Sequence, residues 1–200
     1  TIDVFWEYVG FCLKEGYDYR SLLLLVGPTR TGKSTILDLV RRLLGENNVS
    51  GESLESLANH PYSLASLSGK LANICSDISG HVDLVGHERI KLLVSGADTI
   101  TVEQKYVART TIRPRAKLLF AANHYPTISN PDGAIFDRFI VIPCRNQFVG
   151  STANTNLLNE IATPENLSAA LNNALAGLQR LLAQGGFSYS QTIEQEIEKF

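Results

Sequence analysis

The plainest chemistry in the chain lies in one run, Gly27-Pro28-Thr29-Arg30-Thr31-Gly32-Lys33-Ser34-Thr35. Its first eight residues fit G-x-x-x-x-G-K-S, a glycine-bounded loop whose backbone N–H groups surround a phosphate above a helix N-terminus. In that geometry Lys33 reaches the β- and γ-phosphates and Ser34 Oγ holds Mg²⁺, so ATP and Mg²⁺ are the expected occupants. The neighbours supply the required context. Leu22–Val26 is an apolar run with the look of a buried strand, and Ile36, Leu37, Val40, Leu43 and Leu44 follow at helical spacing.

Hydrolysis asks for more than phosphate binding: a held metal ion, an oriented water and compensation for the charge that develops on the γ-phosphate. A second apolar run ends in Ser76-Asp77. Asp77 fits magnesium or its bound water, and it also fits a plain turn-capping role. Asn123 ends a third apolar run, where its amide would orient the attacking water or simply shape a turn. His124 follows it, either near substrate or packed against Tyr125 and Pro126. Arg138 sits between Asp137 and Phe139, just ahead of another strand. In a ring of subunits such an arginine reaches a neighbour's nucleotide, an arrangement worth ~10³–10⁵ in rate; its alternative is an intrachain ion pair with Asp137 or Asp132. Lys105, Arg109, Arg113, Arg115 and Lys117 fall within thirteen residues that contain no acid. Lys105 and Arg109, with Tyr106 to pack on a sugar or base, form the candidate contact to single-stranded DNA. A solvated basic face is the other reading. Lys91 either approaches nucleotide or DNA or balances Glu88 and Asp98.

These groups must be positioned by an α/β scaffold. Strands are expected at 22–26, 71–75, 118–122 and 140–143, interleaved with helices, which together describe a three-layer core. On that layout the acid at Asp77 would stand beside the P-loop strand. Thr99–Ile112 is rich in β-branched residues and reads as two strands joined by a turn. An amphipathic stretch over Val4–Lys14 precedes the P-loop strand. The composition shifts near 149–154, and Leu167–Leu182 then reads as a helix whose apolar face is Leu167, Leu171, Leu175, Leu178, Leu181 and Leu182. The expected division is a core over 1–148 and a helical subdomain over 149–200.

Composition bounds the rest. Two hundred residues, 44% hydrophobic and 19% charged, suit a globular core. No apolar run approaches the ~18 residues of a membrane span, and the first twenty residues lack a secretory layout. Cys12, Cys75 and Cys144 are isolated and suit reduced thiols better than a disulfide scaffold. A net charge of −2 leaves any polyanion to be met locally. The chain starts inside an amphipathic stretch without an initiator methionine, so a fragment of a longer protein is expected.

Taken together, the motifs resemble those of the superfamily-three helicases, closest to the phage and plasmid (and poxvirus-type) primase-helicase family. GPTRTGKST at 27–35, LVRRLLG at 39–45 and SLASLSGKLANICSDI at 63–78 match in order. So do IKLLVSGADTITVEQKY at 90–106, KLLFAANHYP at 117–126, DRFIVIP at 137–143 and LNNALAGLQRLLAQGGFS at 171–188. The resemblance implies an AAA+ type P-loop ATPase core, assembled as a homo-oligomeric, hexameric ring. Such a motor translocates on single-stranded DNA with 3′-to-5′ polarity during phage, plasmid or viral replication, in the cytoplasm or at a host intracellular replication site. By residue, it implies Lys33 and Ser34 on phosphate and magnesium, Asp77 as the acidic motif, Asn123 as sensor, Arg138 as arginine finger and Lys105 as pore-loop DNA contact. A primase domain would lie on an absent N-terminal portion. Ser76-Asp77 replaces the paired acids of many relatives, which leaves the role of Asp77 open between magnesium and base chemistry. Two other readings share the P-loop: a small-molecule kinase, and a noncatalytic nucleotide-gated assembly module.

Overall fold

The computed structural model describes residues 2–78, 87–96, 99–104, 107–128, 133–188 and 191–197, leaving aside the side chains at 61, 77, 78, 87, 103, 104, 107–110, 191, 192 and 194. At its centre is β1, Leu22–Val26, five apolar residues buried on both faces, as a central parallel strand requires. β1 pairs in parallel with β6 (Lys117–Ala122) on one side and β7 (Phe139–Pro143) on the other. Beyond β6 lie β3 (Ala72–Ile78) and the short β2 (Val49–Ser50), giving the order β2-β3-β6-β1-β7. The three-layer α/β expectation stands, and each of the four anticipated strands is present within a residue or three of its expected limits. The order corrects one detail. β3, which carries Asp77, is separated from β1 by β6, so the acid does not ride on the strand next to the P-loop.

Two further strands, β4 (Ile100–Gln104) and β5 (Val107–Ile112), form a separate antiparallel hairpin with Ile100 opposite Ile112 and Gln104 opposite Val107. That is the expected two-strand unit. Lys105 and Tyr106, between the two strands in sequence, lie outside the described residues.

Helix α1 (Ile2–Cys12) packs along α7 (Pro164–Gln184). α7 is well specified locally: Thr163 accepts from the Asn166 N–H at 3.3 Å, Pro164 opens the first turn, and Gly185 at φ 70° ends it. The face it buries meets the expected leucine face only in part: Leu181 is buried and Leu178 packs partly against the core, but small residues take the rest of the seam. Ala170, Ala174, Gly177 and Leu181 are buried, whereas Leu171, Leu175 and Leu182 are 39%, 48% and 50% exposed. Small residues win because the two helices approach almost backbone to backbone. A Cβ at Gly177 would stand 2.4 Å from the Trp6 carbonyl, and one at Gly10 would stand 2.2 Å from Ala174 O. Glu7, fully buried in this seam, accepts from Arg180 Nε at 2.7 Å and from the Ser188 N–H and hydroxyl at 2.7 and 2.6 Å. Burial pushes its pKa up, but these donors outweigh that and hold it below the usual carboxylate range.

The same end of α1 seats an aromatic cluster of Tyr8, Phe11, Tyr17, Tyr19 and Phe187. Tyr8 donates to the carbonyls of Ser21 and Leu118, each at 3.0 Å, tying helix to sheet. Against this cluster rests Lys117. Instead of joining a basic surface, it is 1% exposed, donates to the Lys14 carbonyl at 2.6 Å and stands 4.6 Å above the Phe11 ring. Burial lowers its pKa to about 8.

Candidate nucleotide site

The nucleotide loop leaves β1 at its C-terminal end and runs into α2, Lys33–Leu44. The apolar spacing works as expected: Leu37, Val40 and Leu44 are buried, with Ile36 and Leu43 packed partly against the core. Gly27 lets the loop pass the end of β7, because a Cβ there would sit 1.9 Å from Cys144 O. Arg30 takes φ 62°, a left-handed conformation that costs a non-glycine residue ~1–3 kcal/mol and gathers at ligand clamps. Gly32 caps α2 with no side-chain acceptor for the first-turn N–H groups. Those donors and the positive end of a three-turn helix therefore suit an anion.

Lys33 is the hub. Its side chain folds over the loop, with Nζ donating to the carbonyls of Gly27 at 2.6 Å and Pro28 at 2.7 Å, and to Thr31 Oγ1 and Asn123 Oδ1 at 3.3 and 3.2 Å. Only 6% of the residue is exposed, and this desolvation lowers its pKa. Loop residues Thr29 to Thr35 enclose a cleft of about 450 Å³, closed on the far side by Ser76 and Asn123. Ser34 is exposed at its mouth.

The sequence-derived candidates thus separate into groups. Gly27, Pro28, Thr29, Arg30, Thr31, Gly32, Lys33, Ser34 and Thr35 form the loop and its helix start, and Asn123 meets Lys33 because β6 runs beside β1. Ser76 lines the cleft. The backbone of Asp77 lies in β3, and its side chain lies outside the described residues. His124 is exposed. Lys91 pairs with Glu88 at 2.8 Å. Arg109 lies on β5 with its side chain outside the described residues, as Lys105 and Tyr106 are entirely.

Arg138 stands apart from this cluster. It immediately precedes β7, whose register with β1 runs from Leu22–Phe139 to Val26–Pro143. Five strand residues, roughly 17 Å, therefore separate it from its own phosphate loop. Its carbonyl accepts from Leu22 N–H at 2.7 Å, which fixes the backbone. Its Nε is buried with no hydrogen-bond partner, the only such side-chain atom among the described residues.

One feature has no counterpart in the sequence-derived candidates. A second cleft of about 430 Å³ adjoins the first, sharing Arg30, Gly32 and Thr35 and walled by Phe148, Asn154 and Leu157. The segment is pinned to the loop by Phe148 N–H donating to Arg30 O at 2.8 Å and Gln147 Nε2 donating to Thr29 O at 3.0 Å. The available signal was an aromatic residue in an otherwise polar stretch after β7.

A family model described as a family of unknown function (DUF5906) matches residues 25–138, from the end of β1 to Arg138, more than half of the chain. The chain belongs to that family. Among solved structures, the apo A form of the NrS-1 C-terminal region superposes with TM-score 0.70 at 17% identity, over 98% of this chain and 46% of that one. A second apo structure of the same region, residues 305–718, gives 0.70 at 18% identity over the same shares. The X-ray structure of JCV Helicase gives TM-score 0.52 at 14% identity, over 96% of this chain and 62% of that one. The chain thus spans about half the length of the NrS-1 region. At these identities the likeness is one of fold, and it establishes for this DUF5906 member a helicase-like P-loop α/β fold. Among the described residues, no helix is long and apolar enough to cross a membrane.

Proposed function

We propose that this chain is the ATPase motor of a DNA helicase or translocase, hydrolysing ATP between adjacent subunits of a homo-oligomeric, hexameric ring around single-stranded DNA. One observation carries the reading: Lys33 and Asn123 meet at one end of the sheet, while Arg138, its buried Nε without a hydrogen-bond partner, stands at the other. A residue so placed is about five strand residues from its own phosphate loop, which supports a role toward the loop of a neighbouring copy. The helicase-like fold supports the same reading.

In this account Lys33 exchanges its two carbonyl acceptors for the β- and γ-phosphates, gaining charge-assisted bonds in their place. The N–H groups at the start of α2 hold the phosphate chain, and the Phe148–Leu157 cleft takes the base and ribose. Mg²⁺, held by Ser34 and Asp77, would neutralise charge on the phosphate oxygens. The Asn123 amide, 3.2 Å from Lys33 Nζ, orients the attacking water. The neighbour's Arg138 compensates the charge that grows as the γ-phosphate departs. Lys105, Tyr106 and Arg109 on the hairpin grip the strand by its phosphate backbone.

Complementation tests the shared site. Lys33→Ala and Arg138→Ala subunits are each expected to be inactive alone, yet mixing them creates some interfaces with an intact loop on one side and an intact arginine on the other. Partial recovery of ATP turnover is expected. No recovery, with mixed oligomers confirmed by mass, would place both residues in one subunit's site.

A further inference from the structure

The end of the sheet opposite the phosphate loop carries a further polar cleft, of about 480 Å³. It forms where the segments entering β1, β3 and β6 converge on the root of the β4–β5 hairpin. Arg113 and Arg115 line one wall, Glu15 and Gly16 another, Gly69 and Gly96 the remainder. Arg113 Nε donates to Gly96 O at 3.2 Å, which anchors its guanidinium at the rim. Arg115 Nη1 donates to Glu15 Oε1 at 2.8 Å across the opening, and Glu15 is 85% exposed at its side chain. Pro114, buried between the arginines, fixes the backbone that separates them. A Cβ at Gly69 would meet nothing within 4 Å, so an extended ligand has room to lie against bare backbone.

We infer that this cleft binds the phosphate backbone of single-stranded nucleic acid, with Arg113 and Arg115 as its contacts and Glu15 as an internal competitor for Arg115. The inference rests on the nucleic-acid arm of the function proposed above and adds to it a site away from the hairpin tip. Continuity favours this occupant. β5 runs from Val107 to Ile112, about 20 Å at ~3.3 Å per residue, and delivers the strand axis from the hairpin turn directly to Arg113. The whole path from 105 to 117 contains no acid, so Glu15 is a carboxylate that the fold brings to it from elsewhere. Planar guanidinium forks suit phosphate oxygens. An exposed Arg–Glu pair is weak enough for a denser line of negative charge to displace it.

The test is the salt dependence of binding to a fluorescein-labelled oligothymidylate, followed by anisotropy. Every phosphate of a single strand that a cation neutralises adds about 0.7 to the log–log slope, so Arg113→Ala with Arg115→Ala should lower that slope by about 1.4. Glu15→Gln should tighten binding at low salt, an effect opposite to that of general structural damage. A fluorescent ATP analogue should bind all variants equally, because the phosphate loop lies at the other end of the sheet. If the parent binds the oligonucleotide and the double variant keeps the parent slope, the cleft does not touch the strand and the inference falls, while the hairpin reading stands. If the parent does not bind, both fall. Loss of self-association with an unchanged slope would overturn it in favour of an acidic surface on a second copy.

Discussion

Replacing Gly177 by alanine separates the packing of α7 seen here from the one its leucines suggest. Alanine is the better helix former by about 1 kcal/mol, so in a helix with open space at that position the substitution stabilises. In this seam the new Cβ would lie 2.4 Å from the Trp6 carbonyl carbon and oxygen and 2.7 Å from Glu7 N, against the 3.4 Å at which ordinary contact begins. Backbone cannot swing aside as a side chain can, so α1 and α7 must part by about 1 Å along a close-packed seam. Overpacking of this kind costs about 1–3 kcal/mol. Set against the propensity gain, a net loss of up to about 2 kcal/mol is expected, or a fall in melting temperature of up to about 8 °C for a chain of this size, in place of the gain that open space would give. Leu175→Ala is the counterpart. Leu175 is 48% exposed, so its removal should cost about 1 kcal/mol or less. Thermal and urea unfolding monitored by circular dichroism measure both. A Gly177→Ala protein that melts above the parent, or a Leu175→Ala protein that loses several kcal/mol, would show that α7 buries Leu171, Leu175 and Leu182 after all.

Other expected outcomes concern the site and its supports. Lys33→Ala removes charge-assisted bonds to phosphate worth about 1.5–3 kcal/mol each, so nucleotide affinity should fall at least tenfold in calorimetric titration and turnover should vanish; hydrolysis at the parent rate would remove the loop assignment. Arg138→Ala should leave nucleotide affinity of the isolated subunit within about twofold while abolishing turnover of the assembly, and unchanged turnover would reject its role across the interface. Glu7 has a folded pKa below its unfolded value, so its stabilisation is present above the unfolded carboxylate range, near pH 4.5, and is lost as pH falls through the folded pKa. Glu7→Gln should therefore flatten the loss of stability below pH 4.5; an identical acid profile in the variant would mean that Glu7 is not protonated in that window.

Much of the site was readable because its signal is contiguous. The loop, its strand and its helix follow one another in sequence, and local spacing alone places Lys33 and Ser34. Asn123 was readable at one remove, since an apolar run ending in a polar residue marks the end of a buried strand. What escaped depends on contacts between distant segments. No local pattern says that β6 inserts between β1 and β3, and so the placement of Asp77 beside the P-loop strand was wrong by one strand. Lys117 looked like one of five surface cations, yet the strand it opens carries it into an aromatic cage built by α1 and the loop after it. On α7 the leucines dominate any hydrophobic count, while the deciding fact is that Gly10 and Gly177 permit closer approach than leucines allow. The Phe148 cleft escaped for the opposite reason: one aromatic residue in a polar stretch has no periodicity to read.

The central claim is that catalysis belongs to the interface between subunits and is coupled to nucleic acid. It is tested most directly by specific ATPase activity measured against protein concentration, with and without single-stranded DNA. A steep rise with concentration and a further rise with DNA are expected. Activity per subunit that is independent of concentration, unaffected by DNA and dependent instead on a small phosphate acceptor would identify a monomeric kinase and contradict the account. Concentration-dependent assembly with nucleotide bound but no turnover would leave only a nucleotide-gated module.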